Sequence, residues 1–141
     1  MLLAFLSAGL LLPCAKGADL NSDKQTLLEF SAYLPHPRKI NWSLATQVCT
    51  SWVGVTCTPD GKRVRMLRLP AVGLFGPMPS NILGKLHAFE VLSLWSNRLT
   101  PGLPTDVASI SCLHSLYLRR NNLSGGGGHW PPHLNTYLNL C

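Results

Sequence analysis

Apolar positions recur through the middle of the chain in a fixed order. Val64, Leu67, Leu69, Val72 and Leu74 set the spacing, with polar or small residues between them. The same spacing returns at Phe89, Leu92, Leu94 and Leu99, with Asn97 where Val72 stood, and again at Leu113, Leu116, Leu118 and Leu123, with Asn121. The starts at 64, 89 and 113 lie 25 and then 24 residues apart. Pro79 and Pro104 hold one place in the first two units, and Leu86 and Ile110 each precede the next start by three positions.

L-x-x-L-x-L-x-x-N-x-L at a period of about 20–29 residues is the leucine-rich repeat. Its L-x-L core is a short strand whose leucines point inward. The pattern therefore predicts parallel strands at Met66–Leu69, Val91–Leu94 and Ser115–Leu118. One unit alone cannot bury its apolar face, so the units must stack. The asparagine bonds backbone of the neighbouring coil. Val72 cannot do this, so that ladder should start only at Asn97. Because side chains alternate along a strand, the residues between the leucines face the concave side. They are Arg65, Met66, Arg68, Pro70 and Ala71; then Glu90, Val91, Ser93, Trp95 and Ser96; then His114, Ser115, Tyr117, Arg119 and Arg120. Arg65, Arg68, Trp95, Tyr117, Arg119 and Arg120 give this face the composition of an interaction hot spot. An ordinary solvated face is the competing reading.

Ahead of the repeats the pattern changes. Ser22 and Gln25 have capping-box spacing, and Leu27, Phe30 and Leu34 make one apolar face. A helix is expected over Ser22–Tyr33, ended by Pro35 and Pro37. Val53, Val55 and Cys57 alternate as a strand, and Thr58-Pro59-Asp60-Gly61 supplies turn chemistry before a returning strand from Val64. The run Leu2–Leu12 is apolar but shorter than the about 20 residues of a membrane helix. With Ala15 and Gly17 behind it, it reads as a signal peptide cleaved before Ala18. In the oxidising compartment this implies, Cys49 and Cys57 are disulfide candidates. Cys14 leaves with the leader, and Cys112 and Cys141 remain unassigned.

Composition narrows the chemistry. Hydrophobic residues are 46% and charged residues 13%, which excludes a disordered composition. The net charge is +6, but Lys and Arg occur only as scattered pairs, so nothing marks nucleic acid. No C-x-x-C is present. Gly125–Gly128 lacks the Lys-Ser/Thr and helix of a phosphate loop, and prolines separate His129 from His133. No serine sits in a nucleophile elbow, and no kinase motif occurs. Neither a catalytic residue nor a cofactor or metal site is expected. Asn41-Trp42-Ser43 and Asn122-Leu123-Ser124 are glycosylation sequons. The alternatives are an unmodified cap residue at Asn41 and an unmodified turn residue at Asn122.

The motif Cys49-x-x-Trp52-x-Gly54-Val55-x-Cys57, followed by Leu74-Phe75-Gly76-Pro77-Met78-Pro79 and Leu99-Thr100-Pro101-Gly102-Leu103-Pro104, resembles the extracellular domain of plant leucine-rich-repeat receptor-like kinases. The start Asp19–Asp23 and the run Ser51–Cys57 are similar to the small-ectodomain group, many of which have degenerate kinase domains. The resemblance covers about Asp19 to Gly125. It implies an α/β solenoid with a helix-hairpin cap and a short parallel sheet. It also implies a protein or peptide ligand, a co-receptor kinase as a further partner, and membrane anchorage in full-length relatives.

The expected division is a signal peptide at 1–17, a cap at 18–63, repeats at 64–125 (64–88, 89–112 and a partial 113–125) and an irregular or truncated tail at 126–141. The expected function is a non-catalytic ligand-binding piece of a cell-surface receptor. A free-standing secreted inhibitor or decoy, or a truncated product without function, is the alternative. A tail that fails to cover the last coil would leave Leu116, Leu118 and Leu123 partly exposed.

Overall fold

The computed structural model describes residues 18–35, 40–102 and 104–123. The leader, the tail from Ser124 onward, Pro37, Cys14, Cys141, His129 and His133 lie outside the described residues.

Asp19, not Ser22, caps the front helix. Helix α1 spans Leu20–Tyr33. Asp19 is extended, and its carboxylate accepts the Ser22 N–H at 2.8 Å. A carboxylate there satisfies an orphan donor and suits the positive end of the helix dipole, so the helix begins earlier than the Ser22–Gln25 spacing predicts. It ends as expected: Leu34 is extended because Pro35 disfavours helical geometry in the residue before it. Leu27, Phe30 and Leu34 are buried in the core.

The rest of the cap is a crosslinked loop and a hairpin. Helix α2 (Val48–Ser51) precedes strand β1 (Val55–Cys57), which pairs antiparallel with β2 (Val64–Arg68). Cys49 and Cys57 are disulfide-bonded, with Cα atoms 5.5 Å apart. Val53 does not join the strand and is exposed. The break is at Gly54, whose φ of +78° lies in the left-handed region. A Cβ at Gly54 would also collide with the Arg68 carbonyl oxygen, while the Gly54 carbonyl accepts the Arg68 N–H at 2.7 Å. The Trp-x-Gly spacing thus lets the cap backbone lie directly against the first repeat.

From β2 the chain coils. Strands β4 (Val91–Ser93) and β6 (Ser115–Tyr117) continue the sheet, in the order β1-β2-β4-β6. The pairing is parallel, with Leu67 opposite Leu92 and Leu92 opposite Leu116, the register the repeat spacing demands. Two further strands, β3 (Phe75–Pro77) and β5 (Arg98–Thr100), form a second small parallel sheet. That sheet was not foreseen, because Phe75-Gly76-Pro77 carries no strand signal. A 3-10 turn (Leu83–Lys85) and helix α3 (Thr105–Ala108) complete the outer side.

One core runs through cap and repeats. It includes Leu27, Phe30, Trp52, Leu67, Leu69, Leu92, Leu94 and Val107. Leu116, Leu118 and Leu123 belong to it and are buried, contrary to the expected partial exposure. They share one buried cluster with Leu92, Leu94 and Leu99 of the preceding coil. Among described residues, no helix is long and apolar enough to cross a membrane.

The asparagine ladder starts where expected. Asn97 is buried; its Oδ1 accepts the N–H groups of Val72, Gly73 and Leu74 at 3.0–3.1 Å. Its Nδ2 donates to the carbonyls of Leu69, Leu94 and Trp95. Asn121 repeats the device more lightly, accepting from Leu99 N–H and donating to the Leu94 and Leu118 carbonyls. Just before the ladder position, Ala71, Ser96 and Arg120 have φ near +53°, +60° and +59°. The same left-handed turn therefore closes each strand.

Candidate functional site

The concave face is built by strand alternation. Leu67, Leu92 and Leu116 point inward, so their strand neighbours point out. Arg68 is opposite Ser93, and Ser93 is opposite Tyr117, forming one row across the three parallel strands. Arg68 is exposed, and Tyr117 sits at the margin of exposure. Val91 is a correction. It lies between Met66 and Ser115 in register and is only 4% exposed, because the flanking strands close over a short branched side chain.

The loops that follow the strands carry the larger groups. Trp95 is 40% exposed. The Arg120 guanidinium lies over its ring, 5.7 Å from the centroid. Such stacking holds an arginine in place without using its hydrogen-bond donors. Arg119 is also exposed. The backbone that carries these side chains is tied across the coils: Ala71 N–H donates to the Trp95 carbonyl and Ser96 N–H to the Arg119 carbonyl.

At the opposite end of the strands a row of polar side chains crosses the three coils. Arg65 Nε meets Glu90 Oε2 at 2.7 Å, and His114 Nε2 lies 3.6 Å from the same oxygen. His114 Nδ1 and Ser115 Oγ are 2.9 Å apart. Arg65 is thus half-buried and engaged with Glu90, whereas Arg68, Arg119 and Arg120 are exposed. Reading each position separately missed this row; the shared place of 65, 90 and 114 in their repeats was its signal.

The cap holds a buried ion pair that sequence reasoning also missed. Arg63 Nε and Nη2 reach Asp23 Oδ2 and Oδ1 at 2.9 and 3.0 Å, and Val64 N–H donates to Asp23 Oδ2 at 2.8 Å. Both residues are buried. Asp23 therefore ties α1 to the first residue of the first repeat. Nothing local in the sequence pairs it with Arg63, 40 residues on.

The two sequons differ. Asn41 is exposed, but its side chain is hydrogen-bonded at both ends: Nδ2 donates to the Ser51 carbonyl at 2.8 Å and Oδ1 accepts the Val53 N–H at 2.9 Å. Asn122 is exposed, with its backbone N–H on the Leu99 carbonyl. Among described residues, no cluster of three His, Cys, Asp or Glu side chains could hold a metal ion.

Comparison with known proteins agrees with this architecture. Residues 20–58 match the family model described as the leucine rich repeat N-terminal domain. A probable inactive receptor kinase of Arabidopsis thaliana is 46% identical over 108 residues, 77% of this chain and 17% of its own length. An inactive leucine-rich repeat receptor-like serine/threonine-protein kinase of the same plant is 43% identical over 88 residues, 62% of this chain and 14% of the relative. This chain thus spans less than a fifth of these curated relatives. Among solved structures, the Arabidopsis receptor kinase HAESA, in complex with the peptide hormone IDA and the co-receptor SERK1, superposes with a TM-score of 0.65 at 31% identity. The match covers 74% of this chain and 18% of that one.

Proposed function

We propose that this chain, which resembles the N-terminal part of plant leucine-rich-repeat receptor-kinase ectodomains, is a non-catalytic recognition module that presents its concave face to a peptide ligand or a co-receptor. The observation that carries the reading is the Arg120–Trp95 stack in the loops that follow β4 and β6, with exposed Arg119 in the same loop as Arg120 and exposed Arg68 at the end of β2. An indole left 40% exposed needs a reason that an exposed arginine does not. Two supports come from relatives: the similar proteins are receptor kinases, and one similar structure holds a peptide hormone and a co-receptor. Such a module works outside the cell, at its surface, when continued into a receptor. Aromatic and arginine anchors supply most of the energy in protein recognition, so few residues should dominate.

The test is a binding screen of the full chain against a synthetic peptide library, repeated with Trp95→Ala, Arg120→Ala and the outer-side control Lys85→Ala. Binding that falls at least about tenfold with Trp95→Ala and holds with Lys85→Ala supports the concave face. Binders that ignore both concave variants would sink the reading.

A further inference from the structure

The two sequons are not equivalent, and the difference is one of amide stereochemistry. Asn41 grips the backbone on either side of Trp52, the Ser51 carbonyl with Nδ2 and the Val53 N–H with Oδ1. Trp52 is extended, with φ −82° and ψ 122°. In an extended residue the preceding carbonyl and the following N–H point to the same side. To meet both, the amide must present its oxygen and the N–H hydrogen lying on the oxygen's side, as one edge of a strand meets another. Around this fork the loop is fixed further. Trp42 Nε1 donates to the Val53 carbonyl at 2.9 Å, and the Trp42 and Trp52 rings stack at 5.1 Å. The loop so held is the one that Cys49 and Cys57 close.

N-glycosylation replaces one of the two Nδ2 hydrogens. A bond forms from Nδ2 to the anomeric carbon of a lipid-pyrophosphate-linked oligosaccharide. The anomeric carbon–oxygen bond breaks, the lipid pyrophosphate leaves with its electron pair, and the Nδ2 proton passes to a base. The product is a secondary amide, and secondary amides strongly prefer the arrangement in which the new substituent lies trans to the carbon chain. That places the sugar on the oxygen's side, where the fork needs its hydrogen. A glycosylated Asn41 can keep the Val53 contact but loses the Ser51 contact, and the sugar is directed at the Ser51 backbone.

Asn122 has no such duty. Its side chain makes no hydrogen bond among described residues, because the ladder function belongs to Asn121. Its backbone is fixed by the bond to Leu99 in β5, and the buried Leu123 beside it anchors the turn. Among the described residues its amide is therefore exposed and unengaged, on the flank beside the second sheet.

We propose that Asn122 is the N-glycan acceptor of this chain, and that Asn41 in the folded protein is an unmodified backbone clamp of the disulfide loop. The proposal rests on the extracellular part of the reading above, and the two sites report separately on the two. A glycan at Asn122 reports passage through the secretory pathway, and Asn41 reports the fork.

The full chain, secreted from cultured plant cells and recovered folded from the medium, is treated with peptide N-glycosidase A in water enriched in oxygen-18. Peptide mass spectrometry then reads the label, which converts each occupied asparagine to a heavy aspartate. Label at 122 and none at 41 is the expected result. Label at 41 in the folded fraction would overturn the clamp, and none at 122 would overturn the acceptor. A second measurement stands apart from occupancy. In glycan-free protein, Asn41→Gln should lower the melting temperature and Asn122→Gln should leave it unchanged; equal melting of Asn41→Gln and the parent overturns the clamp.

Discussion

The cap and the repeats bury the same kind of core but are held by opposite means. In the repeats a few devices recur: the L-x-L strand, the left-handed turn after it and the asparagine ladder. In the cap each device occurs once: the Cys49–Cys57 bond, the Asp23–Arg63 pair, the Trp42–Trp52 stack and the Asn41 fork. Copies of a repeated device differ in strength, as the three N–H contacts of Asn97 Oδ1 and the one of Asn121 Oδ1 do. A single device has no substitute. The cap should therefore fail at single residues, while the repeats should lose stability in graded steps.

The largest break is expected at Asp23. Asp23→Ala leaves the Arg63 guanidinium buried without its partner and orphans the Val64 N–H. Removing one member of a buried pair costs about 3–5 kcal/mol. Chemical denaturation of the variant should show this loss as a lower midpoint. The double variant Asp23→Leu/Arg63→Leu should recover only part of it, since the Val64 N–H still lacks an acceptor. Full recovery would mean that the ion pair alone, and not the tie to β2, sets the cost.

The ladder gives the graded counterpart. Asn97→Ala removes the acceptor of three backbone N–H groups, at about 1 kcal/mol or more each, so roughly 3 kcal/mol in all. Asn121→Ala removes the acceptor of Leu99 N–H and should cost about a third as much. Equal losses in thermal or denaturant unfolding would contradict the graded picture. Replacing Cys49 and Cys57 together by alanine opens a loop with a sequence separation of 8. Loop-closure entropy puts that cost at roughly 2–3 kcal/mol. The loss should be measurable as a parallel drop in melting temperature, and none should appear if the tryptophan stack and the fork hold the loop unaided.

The same division explains what was legible in the sequence. The strand register followed from the positions of Leu67, Leu92 and Leu116, because a periodic pattern states its own alignment. The start of the ladder followed from Val72 and Asn97 for the same reason. The cap was legible only where chemistry is local, at the cysteines and at Leu27, Phe30 and Leu34. The Asp23–Arg63 pair spans 40 residues and has no counterpart among the described residues to reveal it. The β3–β5 sheet was hidden because Phe75–Pro77 takes its strand geometry from the coil beside it and not from its own residues. On the concave face, alternation located Arg68 and Trp95, but it could not show that Val91 is covered or that Arg65 is engaged with Glu90. Those outcomes depend on the length of cross-strand neighbours.

The smallest expected effect lies at the joint between the two regions. The turn at Thr58–Gly61 leads from the cap strand to the first repeat, and Asp60 organises it. The Thr58 hydroxyl donates to Asp60 Oδ1 at 2.6 Å, and the Lys62 N–H donates to the same oxygen at 3.0 Å. These two donors, the Thr58 hydroxyl foremost, hold the Asp60 carboxyl below its ordinary value. A carboxyl whose folded-state pKa is depressed contributes stability above its unfolded value, about 3.9, and loses it as pH falls through the folded value. Asp60 is exposed, so solvent screening keeps the contribution small. The melting temperatures of the parent and of Asp60→Asn should therefore differ slightly and by a constant amount above about pH 5, and should converge below about pH 4. A gap that widens as the solution is acidified would carry the opposite sign and show that Asp60 does not steady the joint as a carboxylate.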